Sequence, residues 1–229
     1  MVLKVTFCIV LILMIRYKWV GDIVNVETAF LYGELEEEIY HKIPTRLDIV
    51  KGEEFKAEEC LVLQKAMYGL VQAAQQFYKK MVQITVDEMG FKKSDANRCL
   101  LMRVEKIGTV ILCIYVDNML VVGDKPAVND FKQELKKYFN TKEEGTLDEY
   151  VGCKVIRKDG ELHMHQPDIM YKLDKEFGND VKEICKYRTP ASPGFAVQRP
   201  TTDDKLIPAE MQRRFRMAVG LLLFLMKFS

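Results

Sequence analysis

The chain has 229 residues, 48% of them hydrophobic, 29% charged and 10% aromatic. These are ordinary globular proportions, and they exclude both a disulfide-stapled mini-protein and a disordered, apolar-poor chain. Thirty-four Lys and Arg against 33 Asp and Glu leave a formal charge of +1, so no global basic field draws in nucleic acid or an anionic membrane, and any such binding has to come from a local patch.

Val5 to Ile15 is apolar except for Thr6, with Lys4 before it and Arg16, Tyr17 and Lys18 after. The run is far short of the roughly 20 residues of a spanning helix, and no small-x-small cleavage site follows. It reads as a core helix with no membrane span, a targeting signal being the alternative. Asp22 to Leu31 reads as a strand, followed by an acidic run, Glu34 to Glu38, expected to be solvated. Ala74, Phe77, Met81 and Ile84 recur at helical spacing and stop at Gly90, which predicts an amphipathic helix from about Gln72 to Met89 with Lys79, Lys80 and Asp87 on its other face.

Cys99 to Val104 and Thr109 to Val116 read as two strands around a turn at Lys106, Ile107 and Gly108; the second is apolar enough for a central position. Asp117 and Asn118 interrupt the run before Met119 to Val122 resumes it, which predicts a hairpin with those two polar residues as its tip. Asp124 and Pro126 open a second helix, Asp124 as its cap, with Val128, Phe131, Leu135 and Tyr138 on one face. Tyr150 to Arg157 and Glu161 to His165 form another hairpin. Four of the seven prolines (Pro190, Pro193, Pro200, Pro208) mark a linker to a last helix, Ala209 to Phe228, whose apolar run Val219 to Met226 needs a partner surface. The order strand, helix, strand, strand, helix, strand gives an α+β class with the split βαβ arrangement: an antiparallel sheet with helices on one face. The six cysteines, Cys8, Cys60, Cys99, Cys113, Cys153 and Cys185, form no C-x-x-C pair and read as reduced thiols of an intracellular protein, cytoplasmic or nuclear.

Five ordered blocks carry a resemblance: VNVETAFLYGELEEEIY (Val24 to Tyr40), CLVLQKAMYGLVQAAQQFYKKM (Cys60 to Met81), YVDNMLVVGD (Tyr115 to Asp124), FNTKEEGTLDEYVGCKV (Phe139 to Val155) and FRMAVGLLLFLMKFS (Phe215 to Ser229). In order and spacing they resemble the reverse transcriptase of copia-type LTR retrotransposons, part of a pol polyprotein. The resemblance implies RNA-directed DNA polymerase ancestry. It implies a right-hand polymerase palm with partial fingers over residues 1–186, then a linker and the start of a thumb or connection over 187–229, cut before the RNase H. Template-primer of RNA or DNA, dNTP, and Mg²⁺ or Mn²⁺ are the partners and cofactors it implies, with the missing fingers and RNase H regions as further partners.

Two-metal nucleotide addition needs carboxylates holding a cation pair about 4 Å apart. The family draws one aspartate from the first strand and two from the hairpin tip; the matching positions here are Asn25, Asp117 and Asn118, so Asp117 alone keeps a metal-binding charge. Asp22 lies on the opposite face of the strand from Asn25, and Glu27 sits roughly 6 to 7 Å further along, so neither repairs the loss. Two missing charges weaken dication binding by several kcal/mol, an order-of-magnitude estimate, and the expectation is weak metal binding and negligible polymerase activity. A non-catalytic nucleic-acid or protein interaction module on the same scaffold is the alternative.

The resemblance also places Phe30 at the aromatic gate against a ribose 2′-hydroxyl, where a core aromatic is the other reading, and Gln72 and Tyr115 at the nucleotide and template. Val71 and Gln75 stand where the family carries a lysine and an arginine, two lost phosphate-seeking cations. Gly145, Tyr150 and Gly152 match the primer-supporting hairpin. Lys79, Lys80, Lys92, Lys93 and Arg98 either line a template path or are plain solvated surface, the latter favoured; His163 and His165 share a strand face but lack a third metal ligand.

Overall fold

A computed structural model describes residues 4–44, 47, 52, 59–150, 152–158, 160–183 and 207–226. The chain divides into two compact units, Met1–Asp148 and Glu149–Ser229. The boundary expected at residue 186, the linker prolines up to Pro200 and Cys185 lie outside the described residues.

The first unit is built on a six-stranded antiparallel sheet. Helix α1 (Lys4–Arg16) leads into β1 (Val20–Val26), then a 3₁₀ turn over Ala29–Tyr32 and a separate two-stranded ribbon of β2 (Tyr40–Lys42) and β3 (Cys60–Val62). Helix α2 (Ala73–Gln83) runs on as a π-helical turn over Ile84–Glu88 and stops at Gly90, φ 71°, where the apolar periodicity ends. There follow β4 (Lys92–Lys93), β5 (Leu100–Glu105), β6 (Gly108–Tyr115), β7 (Asn118–Gly123), α3 (Lys125–Leu135) and β8 (Thr141–Thr146), in the spatial order β4-β5-β6-β7-β1-β8.

The succession β1, α2, β6, β7, α3, β8 is a split βαβ arrangement, but its closing strand is β8 and not the segment from Tyr150. That strand escapes a pattern reading because Thr-Lys-Glu-Glu-Gly-Thr is a charged edge with no apolar alternation. A register shift between Ile23 and Val24 inserts Glu144 into β8 unpaired, and Gly145 at φ 98° takes the left-handed conformation that the bulge requires.

Both faces of the sheet are covered, which corrects the expectation of helices on one face. On one side Val24, Val26, Val110, Leu112, Ile114, Met119 and Val121 pack against Phe77, Met81, Val128, Phe131 and Leu135 of α2 and α3. The alternate residues Ile23, Ile111, Cys113, Leu120 and Val122 are equally buried, and so are Phe7, Val10, Leu11 and Met14 of α1, which packs along β7. Gly21 permits that approach: a Cβ there would lie 2.7 Å from Met14 Sδ. The opposite side of α1 exposes Val5, Ile9 and Ile12, so the helix is half core and half surface. No helix among the described residues is long and apolar enough to cross a membrane.

Two ion networks tie helix to sheet. Arg103 of β5, only 6% exposed, donates to the Met89 carbonyl and to Glu134 and Asp130 of α3, and its guanidinium lies 5.0 Å from the Phe91 ring centre. Lys132 of α3 reaches Asp22 at 2.7 Å and Glu143 at 2.9 Å, and Lys136 reaches Glu143 at 2.7 Å. Hydrogen bonds from Lys136 and Lys132 hold the Glu143 carboxyl below the usual carboxylate range. Burial opposes the charge on Lys132, but its bonds to Asp22 and Glu143 prevail and raise its pKa.

The β6–β7 hairpin pairs Tyr115 with Asn118, so its two-residue tip is Val116–Asp117, one residue earlier than the sequence suggests, and Asn118 already belongs to β7. Val116 carries a φ of 56° while Asp117 does not share the left-handed region, the φ pattern of a II′ turn, whose first central position favours glycine.

The second unit contains a three-stranded antiparallel sheet, β11-β10-β9, of β9 (Glu149–Tyr150), β10 (Cys153–Lys158) and β11 (Glu161–His165), followed by α4 (Pro167–Glu183) and α5 (Ala209–Met226). Arg214 of α5 donates to the Glu176 carbonyl and covers the Phe177 ring. No residue of α5 is buried.

Three outcomes follow. Phe131→Ala removes a fully buried ring stacked edge-on to Phe91 and lowers unfolding free energy by about 3–5 kcal/mol in a denaturant titration. Val116→Gly relieves a left-handed β-branched residue and raises stability by about 0.5–1 kcal/mol, the strain released exceeding the added chain entropy. Glu143 has a depressed folded-state pKa, so its stabilisation is complete above its ordinary value of 4.5 and fades as pH falls through the folded value. The melting temperature of the wild-type chain therefore exceeds that of Glu143→Gln at neutral pH, and the two curves merge in acid.

Candidate functional site

The register of the central ladder assembles the site. β1 pairs with β7 so that Asn25 stands directly opposite Asn118, and directly opposed residues of an antiparallel pair project from the same face. Asn25 Nδ2 donates to Asn118 Oδ1 at 2.9 Å, across 93 residues of sequence. Asn118 Nδ2 in turn lies 3.5 Å from Asp117 Oδ1, and the Asp117 carbonyl accepts from the backbone N–H of Val26 at 2.9 Å. The three side chains at residues 25, 117 and 118 thus meet at one end of the sheet, half-buried, as a chain of two amides ending on one carboxylate.

On its other side Asn25 faces Lys142 of β8, a residue the sequence reading did not connect with this place. The ladder therefore brings an amide and an ammonium group to the neighbouring positions on the same face. Neighbouring acids are committed elsewhere: Glu27 accepts from Asn140 Nδ2 at 2.6 Å, and Asp22 is held by Lys132 at 2.7 Å. Asp124 occupies the N-cap position of α3, yet its Oδ2 accepts from the Thr109 N–H at 2.8 Å, across the open end of the hairpin, and makes no bond to the helix it precedes. Among the described residues no group of three or more His, Cys, Asp or Glu side chains is arranged to hold a metal ion. The donor set does not fit a pair of divalent cations, because it offers one carboxylate and two neutral amides that are bonded to each other and to that carboxylate.

The remaining predicted positions fall in three places. Gln72 stands at the N-terminal boundary of α2 without a side-chain capping bond, and its Nε2 donates to Glu37 Oε1 at 2.8 Å; Lys79 bonds to Glu36, and Lys80 lies 3.5 Å from Glu34. The acidic run is therefore not merely solvated: it docks on the basic face of α2 and neutralises it. Its match to Lys79 and Lys80 is the sequence signal for this docking. The hydrogen bond and charge of Lys79 hold the Glu36 carboxyl below the usual range. Phe30, in the 3₁₀ turn after the left-handed Thr28, packs on the core and tilts against Tyr68 with ring centres 4.4 Å apart. Tyr115 ends β6 opposite Asn118. Gly145 lies in the β8 bulge of the first unit, whereas Tyr150, buried, pairs with Cys153 in the second unit, with Gly152 at φ 73° in the turn between them. Lys92 and Lys93 form the short edge strand β4, and His163 and His165 are exposed on β11, His163 beside Glu161 at 3.3 Å.

The family profile described as reverse transcriptase (RNA-dependent DNA polymerase) matches residues 3–190. The Retrovirus-related Pol polyprotein from transposon TNT 1-94 of Nicotiana tabacum is 35% identical over 136 residues, covering 58% of this chain and 10% of that protein. The putative transposon Ty5-1 protein of Saccharomyces cerevisiae is 29% identical over 154 residues, covering 66% of the chain and 48% of that protein. The Pol polyprotein from transposon RE1 of Arabidopsis thaliana is 27% identical over 159 residues, covering 69% and 10%. The chain thus spans about half or less of the length of the relatives it matches. No solved structure matches it. A profile match over most of the chain, and relatives that are transposon polyproteins, establish that the chain belongs to the copia-type reverse transcriptase family.

Proposed function

We propose that the chain is the palm, with part of the fingers, of a retrotransposon RNA-directed DNA polymerase whose two-metal centre has lost its chemistry. The observation that carries this reading is the 2.9 Å hydrogen bond between Asn25 and Asn118, at the two positions where the family resemblance calls for aspartates. Two acids at that distance repel one another unless cations lie between them, whereas two amides satisfy each other directly. Lys142, directly opposite Asn25 on the neighbouring strand, adds a nearby positive charge that opposes a dication there. Asp117, the one carboxylate, would be the single remaining metal ligand, and no step of nucleotide transfer is assigned to it alone.

Substrate binding is weakened in the same sense. The basic face of α2 is paired with Glu34 and Glu36, and Gln72 is engaged by Glu37, so these groups are not directed at a template phosphate backbone.

The test compares the wild-type chain with the double variant Asn25→Asp, Asn118→Asp. Wild type extends no primer with Mg²⁺ or Mn²⁺, and neither ion raises its melting temperature. The double variant is less stable than wild type without metal, and millimolar Mg²⁺ raises its melting temperature, because a ligand that binds only the folded state stabilises it. Its metal affinity by calorimetry exceeds that of wild type by about a hundredfold or more, the equivalent of about 3 kcal/mol or more. Primer extension or tight two-metal binding by the unaltered chain would overturn the reading.

A further inference from the structure

We propose that a cavity beside the hairpin tip is a binding site for a flat aromatic molecule carrying one anionic group. The cavity has a volume of about 350 Å³ and lies between the start of α2, the segment Arg98–Cys99 and the end of β6. None of Asn25, Asp117 and Asn118 lines it, but Tyr115, which the resemblance places at the nucleotide and template, does, together with Gln75.

Its walls select the ligand. Ile114 and Val116 supply an apolar floor, and the Tyr78 ring forms one side, fixed by the hydroxyl that donates to the Arg98 carbonyl at 2.6 Å. A held aromatic ring against branched aliphatic side chains favours a planar, apolar partner of two fused rings, near the lower end of small-molecule pocket volumes. Arg98 is the one charged residue of the lining, exposed at its rim beside the exposed Gln75, and its guanidinium makes no ion pair among the described residues. A planar guanidinium at the rim matches one carboxylate or sulfonate edge, while a polyphosphate would bring several charges to a single cation.

Cys99, half-buried on the wall, reports on occupancy. The probe is 2-naphthoate, and the readout is the rate of iodoacetamide alkylation at each cysteine, resolved by peptide mass spectrometry on the full chain. Cys60, exposed, is the internal reference, and Cys113, whose thiol burial pushes up to about 12, stays unlabelled. Cys99 alkylation slows along a saturating curve, about threefold at twice the midpoint naphthoate concentration, while Cys60 is unaffected. Ala74→Phe, at an exposed position of α2 that leaves the core untouched, fills the cavity and abolishes the protection. Arg98→Gln weakens naphthoate protection by about tenfold but leaves protection by the neutral 2-naphthalenemethanol unchanged. Absence of Cys99 protection at millimolar naphthoate, protection that survives Ala74→Phe, or equal slowing at Cys60 would each overturn the proposal.

Discussion

The antiparallel pairing of β1 with β7 is the constraint on which the first unit depends. It joins segments about 90 residues apart and sets the inward or outward direction of every side chain on the two central strands. A slip of one residue would turn Val24, Val26, Met119 and Val121 away from α2 and α3 and bring Ile23, Leu120 and Val122 there in their place. Because both faces are buried, either set is apolar, so pattern alone does not choose between them. The choice is made at the ends, where Asn25 bonds Asn118 at the tip and Asp22 meets Lys132 near the other end. Polar pairs with directional geometry decide a register that hydrophobicity leaves degenerate.

Charge in this protein is resolved locally. The net charge of +1 conceals an acidic run seated on a basic helix face, a buried arginine between two helix carboxylates, and a lysine bridging β1 to β8. The surface pairs contribute little each, being hydrated and screened by salt. Arg103 differs because it is almost wholly buried: it joins β5, the turn after α2 and α3 through three acceptors and a ring, and leaving it unpaired there would be costly.

Much of this architecture is legible in the sequence where one physical signal dominates. The α2 periodicity through Phe77, Met81 and Ile84, its stop at Gly90, the apolar β6 and the amphipathic α3 follow from spacing alone, although Ala73 and not Ala74 joins the buried face of α2. The failures have identifiable causes. Strand β8 carries no apolar alternation because it is an edge stabilised by its backbone ladder and by Glu143. Helix α1 was legible as a core helix, but not as cover for the second face, since that depends on the absent side chain of Gly21. The hairpin tip is displaced to Val116 because the pairing of Asn118 with Asn25 and Tyr115 outweighs the preference of Asn for turns. At the candidate site the three residue positions could be read from their blocks. The amide bond, Lys142 and the commitment of Asp124 to Thr109 could not, because each depends on a register formed only in three dimensions.

The geometry also explains how a scaffold of this kind outlasts its chemistry on the reading proposed above. Val24 and Val26 flank Asn25 along β1, and Met119 follows Asn118, so the residues packed against α2 and α3 alternate with the tip residues and project from the opposite face. Clustered acids are a standing electrostatic cost that a fold tolerates for function. Exchange of two such acids for amides removes that repulsion and adds a neutral hydrogen bond between strands, while the packing beneath is unchanged. On that reading, a substitution that would abolish metal binding is one that the α2 and α3 side of the core does not oppose. Persistence of a well-packed sheet is accordingly no argument for retained catalysis; only the atoms at the tip bear on that question, and here two of three residues are amides.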